Sequence, residues 1–169
     1  MILTTTRLTL RPQEQGDAAA LFAILGNRQA MRFWNRPPLS YLAIAEALIA
    51  EQQAAAASGI CRYWTVLEDG DAVGSVDLSL IEEAGAELGF LFRPDRWGRG
   101  LATEAVTAVV AQAFGPLRLT HLAAGVQAGN LAAIRVLEKA GFGQLKRAEV
   151  RLAGGARADC VFYGLKTGG

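Results

Sequence analysis

Apolar and polar side chains alternate in Arg7-Leu8-Thr9-Leu10-Arg11, which predicts a first strand because successive strand side chains face opposite sides of a sheet. Pro12 closes it, since proline has no N–H for an interior ladder. The apolar spacing then lengthens to that of helices. Asp17 is placed to cap a helix over 18–25, and Ser40 to cap an alanine-rich one over 41–57, with Pro37-Pro38 between them. Period two returns over 60–68, 72–81 and 87–92, three strands joined by turns at Asp69-Gly70 and at 82–85, the pattern of an antiparallel meander. Next, Leu101, Ala105, Val109 and Ala113 line up beside Ala102, Val106, Val110 and Phe114 in a two-row stripe, which predicts a helix with one buried face ending at Gly115-Pro116. Residues 121–126 read as a strand opened by a structural His121. Asn130 caps a second helix, Gly141 stops it in the left-handed conformation, and Gly154-Gly155 turns a closing hairpin.

A run of strands followed by strand, helix, strand, helix and hairpin predicts an α+β chain, with a mixed, mostly antiparallel sheet of about seven strands flanked by helices. No repeat or linker divides it, and 169 residues with 51% hydrophobic content suit a single domain over 1–169. No stretch approaches the roughly 18 uninterrupted apolar residues of a membrane span, and the first residues show no processing site, so a cytoplasmic protein is expected. A net charge of +1 removes the general electrostatic case for a nucleic acid or an anionic membrane as partner. Cys61 and Cys160 lie far apart, form no CxxC and have a single histidine for company, so both are expected as free thiols in strands and no metal site is expected.

Any anion must therefore be met locally, which directs interest to Arg93, Arg96 and Arg99 around two glycines. The segment ELGFLFRPDRWGRGLATEA, residues 87–105, is a strand entering the strong helix through the turn Arg96-Trp97-Gly98-Arg99-Gly100. The first turn of a helix leaves N–H groups unpaired and carries a partial positive charge, so a phosphate set against it gains several donors together. Gly98 and Gly100 lack a β-carbon, which lets the backbone approach a diphosphate and adopt positive φ, and Arg96 and Arg99 can add charge-assisted bonds. By itself a GxG before a helix equally fits an ordinary tight turn. The Lys-Ser/Thr pair of a nucleoside-triphosphate loop is missing, and no GxGxxG follows the early strands.

The same stretch resembles the acetyl-CoA signature of the GNAT acetyltransferase superfamily, and GFLFRPDRWGRGLATEAV is particularly similar to its ribosomal-protein-alanine, RimJ/RimL-like branch. The segments TTRLTLRP, FWNRPPLS, AVGSVDLSL, GNLAAIRVLEKAGF and RADCVFYGL occur in the order of that branch's counterparts, so the resemblance covers nearly the whole chain. It implies acetyl-CoA as co-substrate, a primary amine as acceptor (a protein N-terminus or a small molecule), and a sheet splayed between the strands 87–92 and 121–126. The backbone of Phe90, Leu91 and Phe92 would bond the pantetheine arm. Arg96, Trp97, Gly98, Arg99, Gly100, Leu101, Ala102 and Thr103 would surround the diphosphate, and Asn130 would bond the cofactor while capping its helix. Monomer and homodimer are both open.

Two departures from that pattern bear on mechanism. Asp95 stands where the superfamily often has Gln or Arg, and Ala133 stands where relatives often have a serine able to protonate the leaving thiolate. Tyr163 is the substitute acid, and solvent is the alternative, since a thiol pKa of about 8.5 makes coenzyme A a fair leaving group. An amine must lose a proton to attack, so a base is needed, and Glu87 is the first candidate with Asp77 the second. Glu104 is expected to serve the helix terminus instead. Phe33 and Trp34, with Tyr63 and Trp64, are candidate walls for the acceptor, and core packing is the competing assignment. Asp159, in the last hairpin, fits a structural hydrogen bond or a substrate contact. A non-catalytic acyl-CoA-binding or sensor module is the competing function.

Overall fold

A computed structural model describes residues 1–168. The strands are β1 (Leu3–Thr4), β2 (Leu8–Pro12), β3 (Arg62–Glu68), β4 (Asp71–Glu82), β5 (Gly85–Phe92), β6 (His121–Gln127), β7 (Gly143–Arg151) and β8 (Arg157–Lys166). The helices are α1 (Ala18–Leu25), α2 (Leu42–Ala57), α3 (Leu101–Phe114) and α4 (Leu131–Lys139). All eight strands form one sheet in the order β1-β2-β3-β4-β5-β6-β8-β7, antiparallel throughout except for the parallel pair β5–β6. The eighth strand is the two-residue β1, too short for an alternating pattern to reveal.

The helices divide between the two faces. The apolar stripe of α3 buries Leu101, Ala105, Val106, Val109 and Ala113 against Val66, Val76, Leu88 and Phe92, and Leu137 of α4 joins the same core. On the other face a smaller cluster joins Leu21 and Ile24 of α1, Ile49 of α2 and Leu91 of β5. Alternation along β5 explains the split, since Leu88 and Phe92 point one way and Leu91 the other.

Several local signals read otherwise in three dimensions. Asp17 stands at the N-cap of α1 without capping it, because its carboxylate is taken by Arg11, Thr65 and the Glu14 amide. Ser40 does not cap α2; Tyr41 holds that position, and its phenol cannot reach a first-turn amide. Trp64 turns into the main core and donates to the Met1 carbonyl, away from any cleft. Cys61 sits just ahead of β3 and Cys160 within β8, both buried and free. His121 lays its ring over Gly85, filling space that a side chain there would need.

Candidate active site

β5 and β6 touch for only three pairs, Gly85↔His121, Ala86↔Leu122 and Glu87↔Ala123. Beyond them β5 runs on to Phe92 paired only with β4, and β6 runs on to Gln127 paired only with β8. Each strand is held by its outer neighbour, so sheet twist carries the two apart and a wedge opens at Glu87. Glu87 is thus the third residue of β5, exposed at the fork, rather than the residue that opens the strand.

Hydrogen-bond direction decides what the wedge offers. The Arg93 amide bonds the Val73 carbonyl on β4, and bonded pairs recur at every second residue of an antiparallel ladder. Leu91 therefore faces its amide edge toward Ser75, while Phe90 and Phe92 present theirs to the wedge. Of the three residues expected to line it by backbone, Leu91 is committed elsewhere. The Phe92 carbonyl accepts from the Trp97 indole at 3.0 Å, which ties the glycine turn to the end of β5.

The turn itself is set by two left-handed glycines, Gly98 at φ 73° and Gly100 at φ 77°. Gly100 is the N-cap of α3, and no side chain caps the helix. Among the described residues no protein acceptor meets the amides of Leu101, Ala102 and Thr103, while the Glu104 amide bonds the Gly100 carbonyl at 3.1 Å. Three free N–H groups at the positive end of a helix are suited to receive an anion. A cleft of about 550 Å³ starts there at Gly100 and Thr103 and follows α3 to Ala111 and Lys139.

The charged side chains around the turn are arranged differently from the expectation that the arginines reach for phosphate. Arg96 and Arg99 both pair with the buried Glu68 carboxylate, at 2.9 Å for Arg96 and at 2.7 and 2.9 Å for Arg99. Asp71 bridges Arg93 and Arg96, and Asp95 grips Arg93 through both oxygens. The tip of the β3–β4 hairpin thereby fastens the whole segment 93–99. Glu104 leaves the helix end and receives Thr5 Oγ1, the Arg7 amide and Arg7 Nε at 2.6, 2.9 and 2.7 Å. Burial raises its pKa, but those bonds outweigh burial and hold it below the ordinary carboxylate value. Arg7 also bonds the Arg99 carbonyl at 2.8 Å.

Across the wedge, Asn130 caps α4 by accepting the Ala133 amide at 3.2 Å, as its position foretells. Gln127, at the end of β6, donates to the carbonyls of Phe33 and, more weakly, Trp34 at 3.0 and 3.4 Å, which brings the 33–34 segment over the wedge end of the sheet. Phe33 packs on Gly129, while Trp34 walls a separate pocket on the α1/α2 face. Tyr163 is 3% exposed in the main core on β8. Burial first, then Glu138, raises its phenol pKa, so it is a buried donor faced by Glu138 rather than a group opening on the wedge. Asp159 is engaged by Arg147 across the closing hairpin.

The pocket under Trp34 holds about 220 Å³ and is lined by Gln13, Tyr63, Ser75, Asp77 and Leu91 among others. Tyr63, Asp77 and Gly89 lie in one cross-strand row, and Glu87 follows in the next row on the same face. No protein donor among the described residues meets the Asp77 carboxylate, which overlies Gly89 where a β-carbon would collide at 2.6 Å. Burial, and then the Glu87 charge, pushes its pKa up to about 7. Burial also raises Tyr63, with Cys61 and Asp77 adding to the effect.

A strand fork beside a helix whose first amides are open is the arrangement that the acetyltransferase (GNAT) domain predicts, and that family matches residues 7–143. The chain belongs to it. This acetyltransferase is 28% identical over 145 residues to an uncharacterized N-acetyltransferase, YoaA, of Bacillus subtilis (strain 168), spanning 83% of this chain and 82% of YoaA. Its fold is similar to that of RimJ of Mycobacterium smegmatis in complex with a CoA-disulfide, with a TM-score of 0.87, 22% identity and coverage of 95% and 82% of the two chains. It is similar likewise to that of a spermidine N-acetyltransferase from Vibrio cholerae in complex with CoA and spermine, with a TM-score of 0.84, 22% identity and 96% of each chain covered. The enzyme is an acyltransferase, and acetyl-CoA is its acetyl donor.

Sequence reasoning missed three residues of this site. Glu68 carries a signal only in hindsight, as an acid next to the Asp69-Gly70 turn; Gln13 and Gln127 carry none.

Proposed function

We propose that the enzyme moves acetyl from acetyl-CoA to a primary amine by direct attack within a ternary complex. The observation that carries this reading is the fork at Glu87, because it puts an exposed carboxylate beside Asp77 where two strands part and where the wedge leads back to the open end of α3. Bound acetyl-CoA supplies a thioester whose carbonyl carbon takes the amine nitrogen as the C–S bond breaks.

The amides of Leu101, Ala102 and Thr103 take the diphosphate, and the outward edges of Phe90 and Phe92 take the pantetheine arm. Phe90 N–H also supplies a donor for the charge that develops on the carbonyl oxygen. Asp77 and Glu87 act as a coupled pair: the half-buried Asp77 receives the amine proton and the exposed Glu87 returns it to water. Holding thioester and amine together supplies up to roughly 7 to 11 kcal/mol of barrier lowering, which exceeds what a single acid contributes. Protonation of the thiolate is left to water, in keeping with Ala133 and with the buried Tyr163. Buried, unpaired Cys61 and Cys160 accord with a reducing, cytoplasmic setting.

The test is release of free thiol when the protein is mixed with acetyl-CoA and a panel of peptides, amino acids and polyamines. Absence of release across the panel refutes the reading.

A further inference from the structure

β5 carries Glu87, Gly89 and Leu91 on the face that meets α1 and α2, because alternate residues of a strand share a face. Glu87 stands exposed at the fork and Leu91 is buried in the smaller core, so the position between them is the one without a side chain. Backbone conformation does not call for a glycine there, since Gly89 does not have a positive φ. A glycine inside a strand is also weaker than alanine by roughly 0.5 to 1 kcal/mol. In such a place it marks the close approach of another group.

That group comes from the neighbouring strand. A β-carbon on Gly89 would lie 2.6 Å from Asp77 Oδ1 and 3.2 Å from both Cγ and Oδ2, so the whole carboxylate rests over the backbone of β5. Tyr63, Asp77 and Gly89 stand in one cross-strand row, and beyond Gly89 the sheet is parted. The Asp77 carboxylate therefore leans away from β3 and toward the wedge. With alanine at 89 it would have to swing back over its own strand, which changes its distance from every charge around it. Those ionisable groups are Tyr63 on β3 with Cys61 beside its phenol, Glu87 on β5, and Arg36 in the wall of the same pocket.

Building on the acetyl-transfer reading, in which Asp77 takes the amine proton, we infer that Gly89 is a positioning residue for that reaction: its missing β-carbon lets the Asp77 carboxylate lie across β5 on the side of the wedge. The glycine acts through Asp77 and makes no contact with the amine itself.

The experiment follows thiol release from acetyl-CoA with the fastest acceptor of the peptide, amino-acid and polyamine panel, and coenzyme A affinity by calorimetry. It compares wild type, Gly89→Ala, Asp77→Asn, Asp77→Gly and the double variants Asp77→Asn/Gly89→Ala and Asp77→Gly/Gly89→Asp. Gly89→Ala should lower kcat about 10- to 100-fold and flatten the rise of kcat/KM with pH, while coenzyme A affinity stays as in wild type. Added to Asp77→Asn, the alanine should cost nothing more, because the carboxylate it displaces is already gone. Asp77→Gly/Gly89→Asp carries the carboxylate on β5 itself and should exceed Asp77→Gly about 10-fold in kcat, a readout that holds even where Gly89→Ala folds poorly. An unchanged kcat in Gly89→Ala, a loss that persists in the Asp77→Asn background, or a fall in coenzyme A affinity as large as the fall in kcat overturns the inference and leaves acetyl transfer standing. Silence of the wild type with every amine overturns both.

Discussion

Glu68 and Arg99 meet in a two-point ion pair, Oε1 to Nη2 at 2.7 Å and Oε2 to Nη1 at 2.9 Å, so the last residue of β3 holds the turn that opens α3. Arg96 joins the same carboxylate. Glu68 thereby fixes the turn whose following amides, in the proposed reading, receive the diphosphate. Glu68→Gln should lower stability by roughly 1 to 3 kcal/mol and raise KM for acetyl-CoA several-fold while kcat changes little, a split that steady-state kinetics and thermal melts will show.

Gly100 needs φ 77° at the N-cap of α3, and a β-carbon there meets only Arg7 Nη2 at 3.5 Å. The cost of Gly100→Ala is thus conformational, about 1 to 2 kcal/mol for a left-handed alanine. Relief of that strain re-aims the amides of Leu101 to Thr103. Calorimetry should find coenzyme A bound more weakly, with a lowered melting temperature.

Asn130 can be tested for two roles at once. Asn130→Ala should cost about 1 kcal/mol through loss of the cap. Asn130→Ser keeps a capping oxygen but loses the amide NH₂. If Asn130 also bonds the cofactor, the serine variant will melt near wild type yet bind coenzyme A less tightly; equal binding assigns Asn130 to the cap alone.

The Asp77–Glu87 pair predicts a pH profile. With Asp77 raised to about 7, kcat/KM should climb as pH passes that value and the carboxylate ionises. Asp77→Asn should abolish that limb, and Glu87→Gln should lower kcat by about 10² at unchanged acetyl-CoA affinity.

Stability should run in the opposite direction. A carboxyl whose folded pKa lies above its unfolded value of about 3.9 favours the fold most below that value. The contribution is lost as pH rises through about 7. Asp77→Asn should therefore melt higher than wild type at pH 8 and close to it at pH 4, as scanning calorimetry can establish.

Local chemistry was open to reading from the residues. The stripe from Leu101 to Phe114 marked α3 because helical period and burial coincide there, and Gly100, Asn130 and Gly141 took the conformations or bonds that their side chains favour locally. The meander followed in the same way, since Asp69-Gly70 adopts the two positive φ values that a two-residue hairpin requires. Glu87 was identifiable as a candidate, but its place at the fork was not.

Side-chain partners were decided by tertiary structure. Whether Arg99 faces a phosphate or Glu68 depends on a hairpin that returns a residue 31 positions away, and no local pattern encodes that distance. Tyr163 became a core residue because β8 lies inside the sheet between β6 and β7, and Ser40 lost its cap because α2 starts one residue later, after Tyr41. The wedge has the same origin: strand propensity made β5 and β6, but only their outer neighbours and the twist of the sheet could part them after three pairs.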